Sequence, residues 1–69
     1  MTVGEKLKQL RIDCGYSQRE LAEEVGVEQT AISRYENDVC VPNVIIFARL
    51  CKALDAVIAE LMEDIDWNL

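Results

Sequence analysis

Apolar residues recur at helical spacing along most of the chain, and no stretch alternates in the manner of a β-strand. The first run places four apolar side chains on one face: Val3, Leu7, Leu10 and Cys14. Thr2 precedes this run, and Glu5 follows three residues later, which is the pattern of a capping box. The sequence therefore predicts a first helix that begins after Thr2 and ends near Gly15.

Two shorter helical patterns meet at one glycine between residues 17 and 37. Ser17 and Glu20 form a second capping-box pattern, and the apolar face that follows is Leu21, Ala22 and Val25. Gly26 stands where a helix end requires a positive φ, which glycine adopts at little cost. A second apolar face then consists of Val27, Ala31, Ile32 and Tyr35. Two short helices joined at a tight turn are typical of a helix-turn-helix, whose commonest function is to read DNA.

Two more helices are predicted after the loop from Asp38 to Pro42. Asn43 can cap a fourth helix that ends near Asp55 and points five residues inward: Val44, Phe47, Leu50, Cys51 and Leu54. The fifth helix runs from about residue 57 to 66, with an apolar face of Ile58, Leu61, Met62 and Ile65. The fold class is therefore all-α.

Five sequence elements, in the same order, resemble the phage Cro and repressor-type family, also called the xenobiotic-response-element-like family. They are Ser-Gln-x-x-Leu-Ala from Ser17, Gly-Val at Gly26, Ile-Ser-x-Tyr-Glu-Asn from Ile32, then Pro42, and Ala-Leu at Ala53. The resemblance extends over nearly the whole chain. It implies a single domain over residues 1–69, a compact five-helix bundle of the phage-repressor DNA-binding type in which helices 2 and 3 form the helix-turn-helix, about residues 17–37.

The resemblance also assigns roles in DNA binding to the outward-facing polar residues. The candidate base readers on the second helix of the motif are Gln29, Thr30, Ser33 and Arg34. An amide such as that of Gln29 can pair with adenine N6 and N7, and Arg34 can reach guanine O6 and N7 or the backbone. Candidate phosphate contacts are Gln18, Arg19, Lys6 and Lys8, where Gln18 can also support its neighbour on the recognition helix.

Arg11 and Glu36 match a family ion pair that ties the first helix to the end of the recognition helix. The alternative role for Arg11 is a phosphate contact, but an acidic residue at the matching position favours the ion pair.

The chain departs from the family pattern at two places that bear on DNA binding. Glu28 stands where the family has a small hydroxyl residue, and Asp38, Val39 and Cys40 stand where it has a glycine followed by basic residues. Both changes remove favourable phosphate contacts. A carboxylate at a helix N-terminus suits the helix dipole, but Glu28 would also face phosphates unless it reads a cytosine N4 donor.

The net charge of −6 argues against a general affinity for DNA. Residues 1–37 carry five basic and seven acidic side chains, whereas residues 38–69 carry two basic and six acidic ones. The acidic excess is therefore larger in the second half of the chain, whereas Lys6, Lys8, Arg19 and Arg34 lie in the half that should approach phosphates.

Three cysteines without a Cys-x-x-Cys spacing, in a chain without histidine, predict neither a metal site nor a cofactor. Cys14 and Cys51 lie on apolar faces and are expected to be buried, while Cys40 is interpreted as an incidental loop cysteine in preference to a redox sensor. Without histidine, a glycine-rich phosphate loop or a cysteine beside a base, the chain is not expected to be an enzyme.

Several large apolar residues remain once four helices are packed: Ile45, Val57, Ile65, Trp67 and Leu69. Such a cluster usually marks an interface, so we expect a homodimer with Trp67 as its anchor; the alternative is that Trp67 folds back on its own domain. No basic segment precedes an apolar run at the N-terminus, and no apolar stretch is long enough to span a membrane. The sequence therefore predicts a cytoplasmic protein.

The main functional hypothesis is a sequence-specific regulator of transcription that binds double-stranded DNA. The family favours a repressor that acts as a homodimer on an inverted-repeat operator. Contact of Glu20, Glu23 and Glu24 with RNA polymerase would instead indicate an activator, although a solvated helix face explains these residues more simply. The alternative class is a protein-interaction module that has kept the fold and lost DNA affinity, and the acidic balance supports it.

Overall fold

Four α-helices form the part of the protein that the computed structural model describes, residues 1–55. They are α1 (Val3–Asp13), α2 (Gln18–Val25), α3 (Gln29–Glu36) and α4 (Val44–Ala53). No strand occurs among these residues. The all-α prediction is confirmed there, and the predicted fifth helix, about 57–66, lies outside the described residues.

Short polar side chains begin three of the four helices as the sequence predicts. Thr2 and Ser17 each accept a hydrogen bond from the backbone three residues later, and Glu5 and Glu20 complete the two capping boxes. Asn43 accepts from the backbone N–H of Ile46 at the start of α4. The starts of these three helices were therefore predictable from residues close by in the sequence.

The core is formed by apolar side chains from all four helices. Its buried members are Leu7, Leu21, Ala22, Val25, Ile32, Leu50, Cys51 and Leu54. Helix α2 packs against both α3 and α4, and α1 packs against α3. This arrangement places α3 against two helices on its inner side and leaves its other side open.

Two positions that were expected in the core are exposed, and each lies at one end of its helix. Val44 is 81% exposed although it shares a face with Phe47, because it is the first residue of α4 and precedes the part that packs on α2. Cys14 is also exposed, because it is the C-cap of α1 and follows the last helical residue. Its thiol donates to the backbone carbonyl of Leu54 at 3.5 Å. The predicted burial was therefore wrong at both positions.

Helix α1 meets the end of α3 at unusually short range, and Gly4 makes this approach possible. A Cβ atom on Gly4 would contact the Tyr35 carbonyl and would lie 2.6 Å from the Glu36 carbonyl oxygen. Asp38, in a left-handed conformation with φ of 59°, accepts hydrogen bonds from Gly4 N at 3.0 Å and Thr2 Oγ1 at 2.6 Å. The carboxylate thereby ties the start of α1 to the residues that follow α3.

Candidate nucleic-acid interface

The α2–turn–α3 unit has the geometry of a helix-turn-helix. Gly26 ends α2 with φ of 77°, and its N–H donates to the Ala22 carbonyl. Glu20 at the other end of α2 accepts from the Ser17 backbone N–H at 2.9 Å, and this hydrogen bond lowers the pKa of the Glu20 carboxyl. Only Gly26, Val27 and Glu28 separate α2 from α3, so the turn between the two helices is tight.

The outer face of α3 carries the four residues that the sequence nominates as base readers. Gln29, Thr30 and Arg34 are exposed, and Ser33 is half-buried. Asn37 Nδ2 donates to the Ser33 carbonyl at 2.8 Å and lies 3.4 Å from its hydroxyl oxygen, so Ser33 is partly engaged within the protein. Ile32 and Glu36 are buried on the inner face of the same helix. The inner face of α3 is therefore anchored in the protein, and its outer face is available to a ligand.

A buried polar cluster holds the C-terminal end of α3. Arg11 Nε lies 2.6 Å from Glu36 Oε2, and Arg11 Nη2 donates to Oε1 at 3.2 Å. The two side chains are only 11% and 3% exposed. Arg11 Nη1 also donates to the Tyr16 carbonyl at 2.9 Å, which secures the segment between α1 and α2. This forked pairing connects α1, the α1–α2 segment and α3.

Gln18 joins the same cluster, which is a contact that sequence reasoning missed. Its Nε2 donates to Glu36 Oε1 at 3.1 Å, and the residue is half-buried at the start of α2. One of the two amide hydrogens is thus directed into the protein, so Glu36 holds both halves of the motif. The pairing of a buried carboxylate with an amide has no local sequence pattern, because the two residues lie 18 positions apart.

The candidate phosphate-binding residues do not lie on one surface. Arg19 lines a shallow groove between α2 and the start of α3, together with Glu28 and Gln29. Its pairing with Glu23 at 3.4 Å is exposed, and such pairs contribute little. Lys8 is exposed on a different groove along α1, and Lys6 is half-buried on the same helix. Arg19 is therefore the candidate phosphate contact that the structure brings next to the outer face of α3.

The two departures from the family pattern differ in their surroundings. Asp38 is engaged by α1, as described above, so its carboxylate contributes to the fold. Glu28 is the N-cap residue of α3, but its side chain makes no capping hydrogen bond and is exposed. Only Glu28 of these two is therefore free to act on a ligand.

Exposed apolar residues cluster where α3 leads into α4. Val39, Val41, Val44 and Ile45 are between 60% and 81% exposed. Ile45 belongs to the set expected at a dimer interface, whereas Val57, Ile65, Trp67 and Leu69 lie outside the described residues.

The remaining chemical groups of residues 1–55 suggest no second site. Burial raises the pKa of the Cys51 thiol, which suits its place in the core, and Cys40 is exposed in the loop before α4. Residues 1–55 contain no group of three or more metal-ligating side chains. Within the same residues, no helix is long and apolar enough to cross a membrane.

Comparisons with known proteins agree with this geometry. A family model described as helix-turn-helix matches residues 7–61. An uncharacterised HTH-type transcriptional regulator of Bacillus subtilis (strain 168), YgzD, is 37% identical over 62 residues, which cover 90% of this chain and 88% of the relative.

Two solved structures extend the comparison. The P22 c2 repressor in complex with a synthetic operator superimposes with a TM-score of 0.84 at 31% identity, over 88% of this chain and 92% of the repressor chain. A complex of the SinR and SinI proteins matches with a TM-score of 0.83 at 30% identity, over 91% of this chain; the match spans 62% of that chain. The chain belongs to the helix-turn-helix family of Cro and repressor type, a family of DNA-binding transcriptional regulators.

Proposed function

We propose that this protein is a sequence-specific regulator of transcription that binds double-stranded DNA in the cytoplasm and represses genes by occupying an inverted-repeat operator. The observation that carries this proposal is the two-sided character of α3. Its inner face is held by Ile32 and Glu36, which are 1% and 6% exposed, while its outer face presents polar side chains without core partners. A rigid helix with a free polar face is what reading of base edges requires.

Base recognition is assigned to the outer face of α3. Gln29, in the first helical turn, presents an amide that matches adenine N6 and N7, and Arg34 presents a guanidinium that matches guanine O6 and N7. Thr30 can touch a thymine methyl group or a phosphate, and Ser33 a base or a phosphate. Arg19, Lys6, Lys8 and the second amide hydrogen of Gln18 are assigned to phosphates, which position the protein without selecting a sequence.

The exposed apolar residues and the need for affinity support a homodimer. A single recognition helix with few cations binds weakly, whereas two copies related by a two-fold axis would read two half-sites about 34 Å apart. The exposed side chain of Ile45 is part of the proposed interface. Val57, Ile65, Trp67 and Leu69 complete the proposed set.

Selection of bound fragments from a random duplex library at about 50 mM salt tests the proposal, because phosphate attraction is strong enough there to reveal a weak binder. We expect enrichment of an inverted repeat with half-site centres about ten base pairs apart. Enrichment of single half-sites would contradict the dimer but not DNA reading. Absence of enrichment would overturn the proposed function.

The alternative function is a module for protein interaction, and a specific set of residues favours it. Residues 39–48 contain no charged side chain, and the exposed side chains of Val39, Val41, Val44 and Ile45 lie within this segment. A solved structural neighbour, SinR, is seen in complex with another protein. The two functions assign different ligands to the outer face of α3, either DNA or another protein. A change in the charge of Glu28 distinguishes them through its effect on DNA affinity.

We expect Glu28→Lys to raise affinity for duplexes of any sequence by roughly tenfold at low salt if α3 faces phosphates, because the change replaces repulsion with attraction. The matched control is Glu24→Lys, which makes the same charge change beside Arg49 and Lys52 on a different groove. Fluorescence anisotropy with a labelled duplex measures both variants. Equal effects of the two changes would favour the protein-interaction module.

A further inference from the structure

The start of α3 is the one helix start in residues 1–55 whose N-cap side chain makes no capping hydrogen bond. Thr2, Ser17 and Asn43 cap the other three helices with short side chains that accept from the backbone. Glu28 has the extended backbone of an N-cap, with φ of −72° and ψ of 150°, but its side chain is not folded back on the helix. Glutamate at this position therefore does not serve the helix in the way that the other N-cap residues do.

Glu28 also has no ion-pair partner among the residues that the structure describes. It is exposed, and it lines the shallow groove that also contains Arg19 and Gln29. The guanidinium of Arg19 pairs loosely with Glu23, at 3.4 Å and with both side chains more than two-thirds exposed. The groove thus combines an unengaged carboxylate, an amide and a cation that can turn to another partner.

The chemistry of a carboxylate decides what it can recognise on DNA. An ionised carboxylate only accepts hydrogen bonds, and phosphates repel it. In the major groove, the donors are the exocyclic amines, N4 of cytosine and N6 of adenine. Adenine N6 lies beside the acceptor N7, which disfavours a carboxylate, so the donor suited to Glu28 is cytosine N4. A phosphate contact by Arg19 would offset the repulsion.

We propose that Glu28 is a specificity-determining residue that accepts a hydrogen bond from cytosine N4, at the base pair beside the one read by Gln29. This inference rests on the proposed function. The contact selects a C·G pair more than it adds affinity, because guanine and thymine offer the carboxylate only acceptors, and adenine places the acceptor N7 beside its N6 donor. Each half-site would then contain a cytosine next to the adenine that Gln29 reads.

The test compares base preferences of the full-length protein and its variants on the selected operator. We expect the wild-type protein to require cytosine at one position of each half-site, and each substitution of that base to weaken binding roughly 5- to 150-fold. Glu28→Ala should bind all four bases there within about twofold of one another. Gln29→Ala should lose its preference at the neighbouring position and keep the cytosine requirement.

Modified cytosines identify which atom of the base donates the hydrogen bond to Glu28. N4-methylcytosine replaces the N4 hydrogen that faces the major groove, whereas 5-methylcytosine keeps it. We expect only N4-methylcytosine to weaken wild-type binding to the extent of a wrong base, and neither to affect Glu28→Ala. Thermal unfolding of Glu28→Ala checks that the variant is folded, since no capping bond is lost.

Three outcomes would overturn the inference. The first is an unchanged cytosine requirement in Glu28→Ala, and the second is equal binding of the two methylated duplexes by the wild-type protein. The third is an enriched operator without a cytosine requirement. Each of these leaves the proposed function standing, because an operator would still be bound. Absence of an operator would overturn both proposals together.

Discussion

Glu36→Ala is expected to lower the free energy of unfolding by about 3–5 kcal/mol, because it removes one partner of a buried ion pair. The Glu36 side chain is 3% exposed and accepts from Arg11 and Gln18 at distances between 2.6 and 3.2 Å. Its loss leaves the guanidinium of Arg11 charged and shielded from water. Single domains of this size have a total stability of about 3–10 kcal/mol, so the variant should lose a large share of its stability. Urea unfolding followed by circular dichroism measures the change.

Two matched variants separate the buried charge from the pairing. In Arg11→Met/Glu36→Leu both charges are removed, and we expect most of the stability to return because no unpaired charge remains buried. Glu23→Ala breaks the exposed pair with Arg19 and should change stability by less than about 1 kcal/mol. If Glu36→Ala lost no more stability than Glu23→Ala, the buried cluster would not be what holds α3.

Local sequence chemistry was sufficient to predict how three of the four described helices begin and where the motif turns. Thr2 and Ser17 cap through hydrogen bonds that span only three residues, and Gly26 adopts a positive φ that its own lack of a side chain permits. These features depend on neighbours in sequence. They could therefore be predicted without knowledge of the tertiary fold.

Features that depend on distant residues could not be predicted in this way. Helical periodicity places Val44 and Cys14 on apolar faces, but it does not say whether another helix lies opposite them. The approach of Gly4 to the carbonyls of Tyr35 and Glu36 depends on how α1 crosses the end of α3, more than 30 positions later. Sequence spacing alone carries no information on such an encounter.

The sequence predicted which residues form the candidate site better than it predicted which of them contact one another. The outward position of Gln29 and Arg34 follows from the helical period. The link from Gln18 to Glu36 joins two helices, so it was found only in the structure. That link fixes the end of α3, the helix proposed to read DNA, through side chains on its inner face.

Gln29→Ala/Arg34→Ala is expected to lose about 10³-fold or more in affinity for the selected operator. Each bidentate contact discriminates by about 1–3 kcal/mol, and two such contacts in each half-site are lost together. Both side chains are exposed and make no hydrogen bond within the described residues. Stability should therefore change by less than about 1 kcal/mol. Anisotropy titrations with operator and scrambled duplexes, alongside urea unfolding, measure both quantities.

Comparison of Glu36→Ala with Gln29→Ala/Arg34→Ala tests whether the inner face of α3 stabilises the fold while its outer face binds DNA. Glu36→Ala acts through the inner face and should reduce binding only as far as it unfolds the protein, whereas the double variant should lose binding while fully folded. The control Gln9→Ala/Lys52→Ala removes one amide and one cation from exposed positions on α1 and α4 and should bind the operator within about threefold of the wild-type protein. Comparable losses in the control and in Gln29→Ala/Arg34→Ala would mean that general electrostatics, and not the outer face of α3, determines binding.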